Sequence, residues 1–299
     1  MIEAYLVHVI IIACIYSVLA IGLDLAMGFG GMLNVGHAAF FGIGAYASAI
    51  IVLSLGTPFW AGLAVGALFA AFCGFLLSFT SLKLKGDYLA LTTLGFAFLV
   101  GAVLKNWTEV TRGPMGIAGI PAPEVFGFSL STPQAFFPLA VAAVVAAFVV
   151  ARRITRSPFG RVLRAVRDDE VAAASLGKNV FRVKAVAFAA SALFAGAAGS
   201  LFAHYTTFID PSTFDVFATL LVLSMLVVGG LASARGALIG AFVLTVLSEA
   251  LRFLPLPADS IGALRLMIYA VALVAIIIFR PQGITGEYLL GKGVKNAAA

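Results

Sequence analysis

The chain has 299 residues, 62% of them hydrophobic and only 11% charged, with a formal net charge of +6 and a mean hydropathy of +1.11. A soluble domain is about 45–50% apolar and about 25% charged, so this sequence lacks the polar surface needed to cover a water-soluble globule. Soluble enzymes, nucleic-acid-binding modules and secreted disulfide scaffolds are excluded together, and the surplus of Lys and Arg needs a reading other than nucleic acid.

The few charges cluster. Residues 4–23, 25–82, 88–104, 125–151, 185–209 and 216–234 contain no Asp, Glu, Lys or Arg. A spanning helix needs about 20 mainly apolar residues, so each stretch can cross a bilayer and 25–82 can cross twice. Taken in chain order, the stretches predict helices near 4–24, 36–55, 58–80, 87–104, 135–151, 184–204, 214–229, 236–252 and 264–280. Their weak bounds leave a count of eight to ten spans. The alternation of a membrane β-barrel is missing, so the fold class is all-α and polytopic. The first run opens with Glu3, lacks a basic start and continues into further spans, so it reads as a span and not as a removable signal. Cys14 and Cys73 both lie in apolar runs and read as buried free thiols, with no disulfide or metal.

The first interruption is rich in glycine. Between Gly22 and Gly36 lie Asp24, Gly28, Gly30, Gly31 and Asn34, and His37 follows. So many glycines disfavour an unbroken helix, and irregular backbone at membrane depth survives only where protein or a watery cavity satisfies it. Broken helices of this kind line substrate paths, which makes Asp24, Gly30, Gly31, Asn34, Gly36 and His37 candidates for a translocation path. The plainer readings are a hydrated Asp24 near the surface and a His37 bonded locally at a helix start. If 25–35 is a loop, nine spans result and the N-terminus lies outside; if part of it is a half-span, the N-terminus lies inside. Gly30-Gly31-x4-Gly36 is weakly echoed by Gly229-Gly230-x5-Gly236, a hint of internal duplication.

Orientation comes from the basic residues. Nine of the 19 lie in 152–184: Arg152, Arg153, Arg156, Arg161, Arg164, Arg167, Lys178, Arg182 and Lys184. Short loops rich in Lys and Arg stay in the cytoplasm. Four spans after this loop return the C-terminal Arg280, Lys292 and Lys295 to the same side, Arg235 and Lys83/Lys85 fall in inside turns, and 106–134 falls outside.

The same loop carries two helix signatures. Ser157-Pro158 starts a short basic helix with Arg161, Arg164 and Asp168 on one side. Asp169 then caps a second, 170–176, with Glu170 complementing its dipole and Gly177 ending it. A two-turn Ala-rich helix cannot stand alone in water but suits a peg that docks on a cytoplasmic partner. The plainer reading is a solvated loop that only fixes topology.

Other motifs carry nothing. Gly286-x4-Gly291-Lys292 spells a phosphate loop, but Gly293 stands where a hydroxyl is needed and no strand precedes it. Gly42-x-Gly44, Gly62-x3-Gly66 and Gly236-x3-Gly240 suit close helix packing. His8, His37 and His204 have no ligand or catalytic spacing. Glu249, Arg252 and Arg265 read as an ion pair or headgroup contacts at the outer ends of spans, and Asp210 and Asp215 as caps. The sequence thus offers no catalytic, metal or cofactor site.

Five segments together resemble one family. Gly36-His-Ala-Ala-Phe-Phe-Gly-Ile-Gly-Ala-Tyr46 resembles the N-terminal signature of the permease subunits of branched-chain amino-acid ABC importers. Lys85-Gly-Asp-Tyr-Leu-Ala-Leu-Thr-Thr-Leu-Gly-Phe-Ala97 follows in the family's order. Thr111-Arg-Gly-Pro-Met-Gly-Ile-Ala-Gly-Ile-Pro121 matches its outer loop apart from Arg112 and Pro114. Gly160-Arg-x2-Arg-Ala-x-Arg-Asp-Asp-Glu170-x2-Ala-x3-Gly177 resembles its coupling loop. Phe279-Arg-Pro-Gln-Gly283 resembles its C-terminal signature and points to the Liv M-like subunit. The resemblance covers residues 10–284 and implies a bacterial inner-membrane permease. One transmembrane domain spans 1–284, with 152–184 as coupling loop and 285–299 as a cytoplasmic tail. It implies a second, homologous permease, two cytoplasmic ATPase subunits, and a periplasmic or extracellular binding protein that delivers the amino acid. Arg161, Arg164, Arg167, Asp168, Asp169, Glu170 and Gly177 then become ATPase-coupling residues, and ATP hydrolysis belongs to another chain. The competing class is a stand-alone secondary transporter or channel for a small polar solute, built on Asp24 and His37.

Overall fold

The structure, a computed structural model, describes residues 2–81, 86–125, 127–250 and, beyond these, 267, 270, 271, 274, 278 and 282–285. In chain order the helices are α1 (Ile2–Asp24), α2 (His37–Leu55), α3 (Phe59–Ser81), α4 (Asp87–Asn106), the single turn α5 (Thr108–Thr111), α6 (Pro133–Arg156), α7 (Pro158–Asp168), α8 (Glu170–Ser175), α9 (Val180–Thr206), α10 (Val216–Gly229) and α11 (Ala234–Ala250). Four two-residue strands, β1 (Ile117–Ala118), β2 (Glu124–Val125), β3 (Phe128–Ser129) and β4 (Phe208–Ile209), pair antiparallel as β1 with β4 and β2 with β3. Eight of the nine predicted segments are helices to within a few residues. The ninth, 264–280, lies largely outside the described residues. So do Lys83, Lys85, Arg252, Arg265, Arg280 and the match at 286–293.

The fold is all-α and polytopic, with one refinement. Among the described residues six helices are long and apolar enough to cross a membrane individually, whereas α10 and α11 form one pair bent by 118° at 230–233. The 14 residues of α10 extend only about 21 Å, short of the roughly 30 Å hydrocarbon core.

Two central helices organise the bundle. α1 and α9 cross antiparallel: Gly22 faces Phe194 and Ser191, and near the other end His8 Nδ1 lies 2.6 Å from the Tyr205 hydroxyl. α2 runs with α9 and α3 runs against it. Gly44, Gly66 and Gly196 meet so closely that a Cβ on any of them would come within 2.3–2.7 Å of another's backbone. Without a hydrophobic drive between helices in lipid, such small-residue seams supply the packing. Gly229, Gly236 and Gly240 repeat the device between α10 and α11, where a Cβ on Gly240 would sit 1.8 Å from the Met225 carbonyl.

α9 packs on α1, α2 and α3, and α1 packs on α9, α10 and α11 and, outside this pattern, on α6. Exchanging α1 with α9, α2 with α10 and α3 with α11 maps these contacts onto themselves with every direction reversed, the arrangement of an inverted repeat. The glycine echo therefore paired the wrong segments. Gly30-Gly31 lies between α1 and α2, but Gly229-Gly230 lies in the α10–α11 turn. The counterpart of the α1–α2 break is 207–215, which contains no glycine.

One end of the bundle gathers residues 24–29, α7, α8, the start of α9 and the turn 230–233. Residues 282–285 join it, the Ile284 and Thr285 amides donating to the Val228 and Gly229 carbonyls at 3.0 and 2.9 Å. The C-terminal segment thus returns to the end carrying the basic loop. At the opposite end the Tyr5 hydroxyl donates to Glu249 at 2.6 Å. Of the two topologies left open by 22–36, the structure takes the one in which 25–35 does not cross, with the N-terminus opposite the basic loop.

Candidate functional site

The basic loop is folded by local chemistry. At the end of α6, the Ser157 side chain accepts from the Gly160 amide at 3.3 Å, and Pro158 begins α7. α7 buries Gly160, Leu163 and Val166 and leaves Arg161 exposed. The Asp169 carboxylate accepts from the Val171 and Ala172 amides at 2.8 and 2.9 Å, a cap that contributes about 1 kcal/mol. α8 closes with the Gly177 amide on the Ala174 carbonyl and the Lys178 amide on the Ala173 carbonyl. Gly177 sits at φ +75°, which a side chain enters only at a cost. Glu170 does more than offset the helix dipole, because it forms an ion pair with Lys184 near the start of α9. α8 buries only Ala173, and its Val171 and the Leu176 that ends it face outside at 69% and 79% exposure.

At the helix break most polar groups satisfy one another, although Asp24 Oδ2 is buried without a hydrogen-bond partner. α1 loosens into a π-turn over Leu25–Phe29, and 30–36 folds back to start α2 deep in the bundle. The Asn34 side-chain oxygen accepts from the Gly36 amide at 3.1 Å, and its nitrogen lies 3.4 Å from His37 Nδ1. His37 Nε2 lies 3.1 Å from the Leu19 carbonyl. With a carbonyl acceptor on one side and an amide donor on the other, the ring is the neutral Nε2–H tautomer. The Val35 amide donates to Thr93 Oγ1 at 3.1 Å, and a Cβ on Gly36 would lie 2.1 Å from the Thr93 carbonyl. Asp24 is not a hydrated surface group: at 1% exposure, its Oδ1 accepts from the Ala232 amide at 2.8 Å.

The loop and the break, separate in sequence, meet at one arginine. Arg167 Nη1 donates to the Gly28 carbonyl at 2.9 Å, and the same guanidinium pairs with Asp168 at 2.9 Å. Its Cγ would lie 2.7 Å from a Cβ on Gly31, a residue held at φ +66°. Leu163 approaches Gly30, where a Cβ would lie 3.4 Å from its Cδ1. A continuous joint therefore runs from α8 and α7 through Arg167 to Gly28 and Gly31, and from Asp24 to the 230–233 turn. Arg164 lies apart from it and donates to the Thr155 carbonyl at 3.4 Å.

Sequence reasoning missed several partners. Ser48 Oγ lies 3.0 Å from His204 Nε2, and His204 Nδ1 lies 2.8 Å from the Pro121 carbonyl. With a carbonyl in place of a carboxylate, this pair pins 117–121 to α2 and α9 and is not a catalytic set. The Ala38 amide donates to Thr219 Oγ1 at 3.0 Å, joining the first turns of α2 and α10. The Tyr46 hydroxyl, buried beside Phe214, has no hydrogen-bond partner. Only Lys184 carried a signal, as a lone cation entering an apolar run. Asp210 and Asp215 are the caps expected. Burial opposes ionisation of Asp210, but the hydroxyls and amides of Ser212 and Thr213 hold its carboxyl below the ordinary range. Cys14 and Cys73 are free thiols, and no metal-binding cluster occurs among the described residues.

These features define a class, a polytopic membrane permease with a capped helical knob tied to a broken span. The model of the family described as "Branched-chain amino acid transport system / permease component" matches residues 5–278. The chain belongs to that family. It is 36% identical to the high-affinity branched-chain amino acid transport system permease protein LivM of Escherichia coli K12, over 98% of this chain and 73% of that protein. It is 27% identical to the corresponding LivH permease of Salmonella typhimurium, over 91% of each. It is 32% identical to the autoinducer 2 import system permease protein LsrC of an Enterobacter strain, over 66% of this chain and 56% of that one. No solved structure matches the chain.

Proposed function

We propose that this chain is the permease subunit of an ATP-driven importer in the bacterial inner membrane and forms the path for branched-chain or other neutral amino acids. α8 is the knob on which a cytoplasmic ATPase docks, and a second, homologous permease completes the path. An external binding protein delivers substrate at the opposite end, where 117–121 and 207–209 pair. Two ATPase subunits, one per permease, supply the energy. Arg161, Asp168, Asp169, Glu170 and Gly177 shape the docking face, and Arg167 transmits its movement. Asp24, Gly30, Gly31, Asn34, Gly36 and His37 form the hinge beside the path. The observation that carries this reading is the knob itself, with two exposed apolar side chains on a capped helix inside an otherwise basic loop.

Co-expression with the neighbouring permease and ATPase genes, followed by reconstitution, tests it. The double variant V171D/L176D should lose the co-purifying ATPase and ATP-dependent leucine uptake while keeping its elution volume in detergent. Leucine uptake driven by an ion gradient through the purified single chain, without ATP, would sink the proposal and restore the stand-alone transporter.

A further inference from the structure

A cavity of about 180 Å³ opens beside the 230–233 turn, at the end of the bundle that carries the basic loop. It is lined by Arg152, Arg156, Arg164 and Arg235, with Phe29 and Thr155. The ion pairs Arg167–Asp168 and Lys184–Glu170 involve none of these four cations. Four arginines lining one space repel each other, and an anion there relieves the repulsion. A second cavity of about 310 Å³ shares Arg235 with the first; its other lining residues, Val144, Val145, Phe148, Leu238 and Ile239, are all apolar.

The sequence generates this pairing of charge and grease. On α6, Val145, Phe148, Arg152 and Arg156 follow at spacings of three, four and four, one stripe of a helix. On α11, Leu238 and Ile239 lie three and four residues after Arg235, on the same face. Each helix thus sets arginine at the membrane boundary and apolar residues along the next turns, Val145 lying about 10 Å above Arg152. The positive-inside rule explains why arginines stand here, but not why the space between them continues as a groove running into the membrane. A soluble anion uses only the first half of such a site.

We propose that the α6–α11 groove binds one anionic phospholipid, its phosphate among Arg152, Arg156, Arg164 and Arg235 and an acyl chain along Phe148 and Leu238. Basic pockets between transmembrane helices on the cytoplasmic side hold lipid headgroups in this way. The site abuts the turn that Asp24 holds, so its occupant touches the moving joint without belonging to the substrate path.

Native mass spectrometry of the full-length chain in a mild detergent tests the proposal, with phosphatidylglycerol and phosphatidylcholine of identical chains as probes. Phosphatidylglycerol should be retained about tenfold or more over phosphatidylcholine, since each arginine near an anionic headgroup contributes about fivefold. R152Q/R235Q should abolish the preference. I239W, which fills the groove without changing charge, should weaken it to a similar degree, whereas R182Q, an exposed cation on α9, should leave it intact. Millimolar glycerol phosphate should not displace the lipid. Equal retention of the two lipids, full retention in either groove variant, loss in R182Q, or displacement by glycerol phosphate each overturns the assignment. Unchanged elution volumes certify that the variants remain folded.

Discussion

Replacing Arg167 tests whether the basic loop and the helix break move as one body. Its guanidinium, 11% exposed, donates to the Gly28 carbonyl at 2.9 Å, and the Asp168 that it also pairs with is 59% exposed. A hydrogen bond from a charged group contributes about 1.5–3 kcal/mol, whereas an exposed pair contributes at most about 1 kcal/mol. R167A should therefore weaken the joint by about 2–3 kcal/mol, most of it on the Gly28 side. At 1.4 kcal/mol per tenfold, the detached state becomes roughly 30- to 100-fold more populated. Because α8 and its caps are untouched, the ATPase should still dock and hydrolyse ATP. In proteoliposomes containing the partner subunits, leucine transported per ATP hydrolysed should fall about tenfold or more. D168N, which removes only the exposed partner, should keep the transport-to-hydrolysis ratio within about twofold of the parent, because any effect on the docking face falls on hydrolysis and transport alike. An unchanged transport-to-hydrolysis ratio in R167A, or a D168N defect as large as that of R167A, would refute the reasoning.

Three further outcomes follow from the same geometry. G31A should cost about 1–2 kcal/mol for its left-handed backbone and a further increment from the Arg167 contact. In an R167A background only the backbone part should remain, so thermal unfolding of the four proteins should show non-additivity. At Gly177 nothing lies within 4 Å of an added Cβ, so the damage is purely conformational: coupling should rank Gly above Asn above Ala, and a G177A protein as well coupled as the parent counts against a structured knob. Asp210 is held below its ordinary range by Ser212 and Thr213, so its contribution is present above about pH 4 and lost as pH falls through its lower folded value. D210N should accordingly lower the unfolding midpoint at pH 7, with the gap to the parent closing in acid. A gap that persists unchanged below that range contradicts the assignment.

The helices were legible because punctuation and composition agree. Pro58, Gly86 and Pro133 mark starts within a residue or two, and charge-free runs mark interiors. The loop was legible for a different reason: Ser157, Asp169 and Gly177 act on groups only two or three residues away, so local sequence carries their geometry. The joints were hidden because their partners are distant in the chain. Arg167 and Gly28 are separated by 139 residues, Asp24 and Ala232 by 208, and Ser48 and His204 by 156. The inverted repeat was hidden as well. It relates 30–36, rich in glycine, to 207–215, which achieves its reversal with Pro211 and the two Asp caps and so leaves no compositional echo.

The placement of these joints explains how so small a knob can serve as a point of attack. α8 has only six residues, far below the length at which a helix holds itself together, so its position is set by what grips it. The Glu170–Lys184 pair ties it to α9, while the buried Leu163 and Val166 of α7, followed by Arg167, tie the adjoining helix to the end of α1. α1 and α9 are the two helices that the inverted repeat exchanges. A displacement of α8 therefore enters both halves of the bundle at one end, the start of α9 directly and the end of α1 through Arg167. Each of these helices is followed by a segment without continuous helix, 30–36 after α1 and 207–215 after α9, where bending breaks the fewest backbone hydrogen bonds. In the proposed scheme the two breaks bend in opposite senses because the halves run in opposite directions, and a single push at the cytoplasmic end closes one mouth of the path while opening the other.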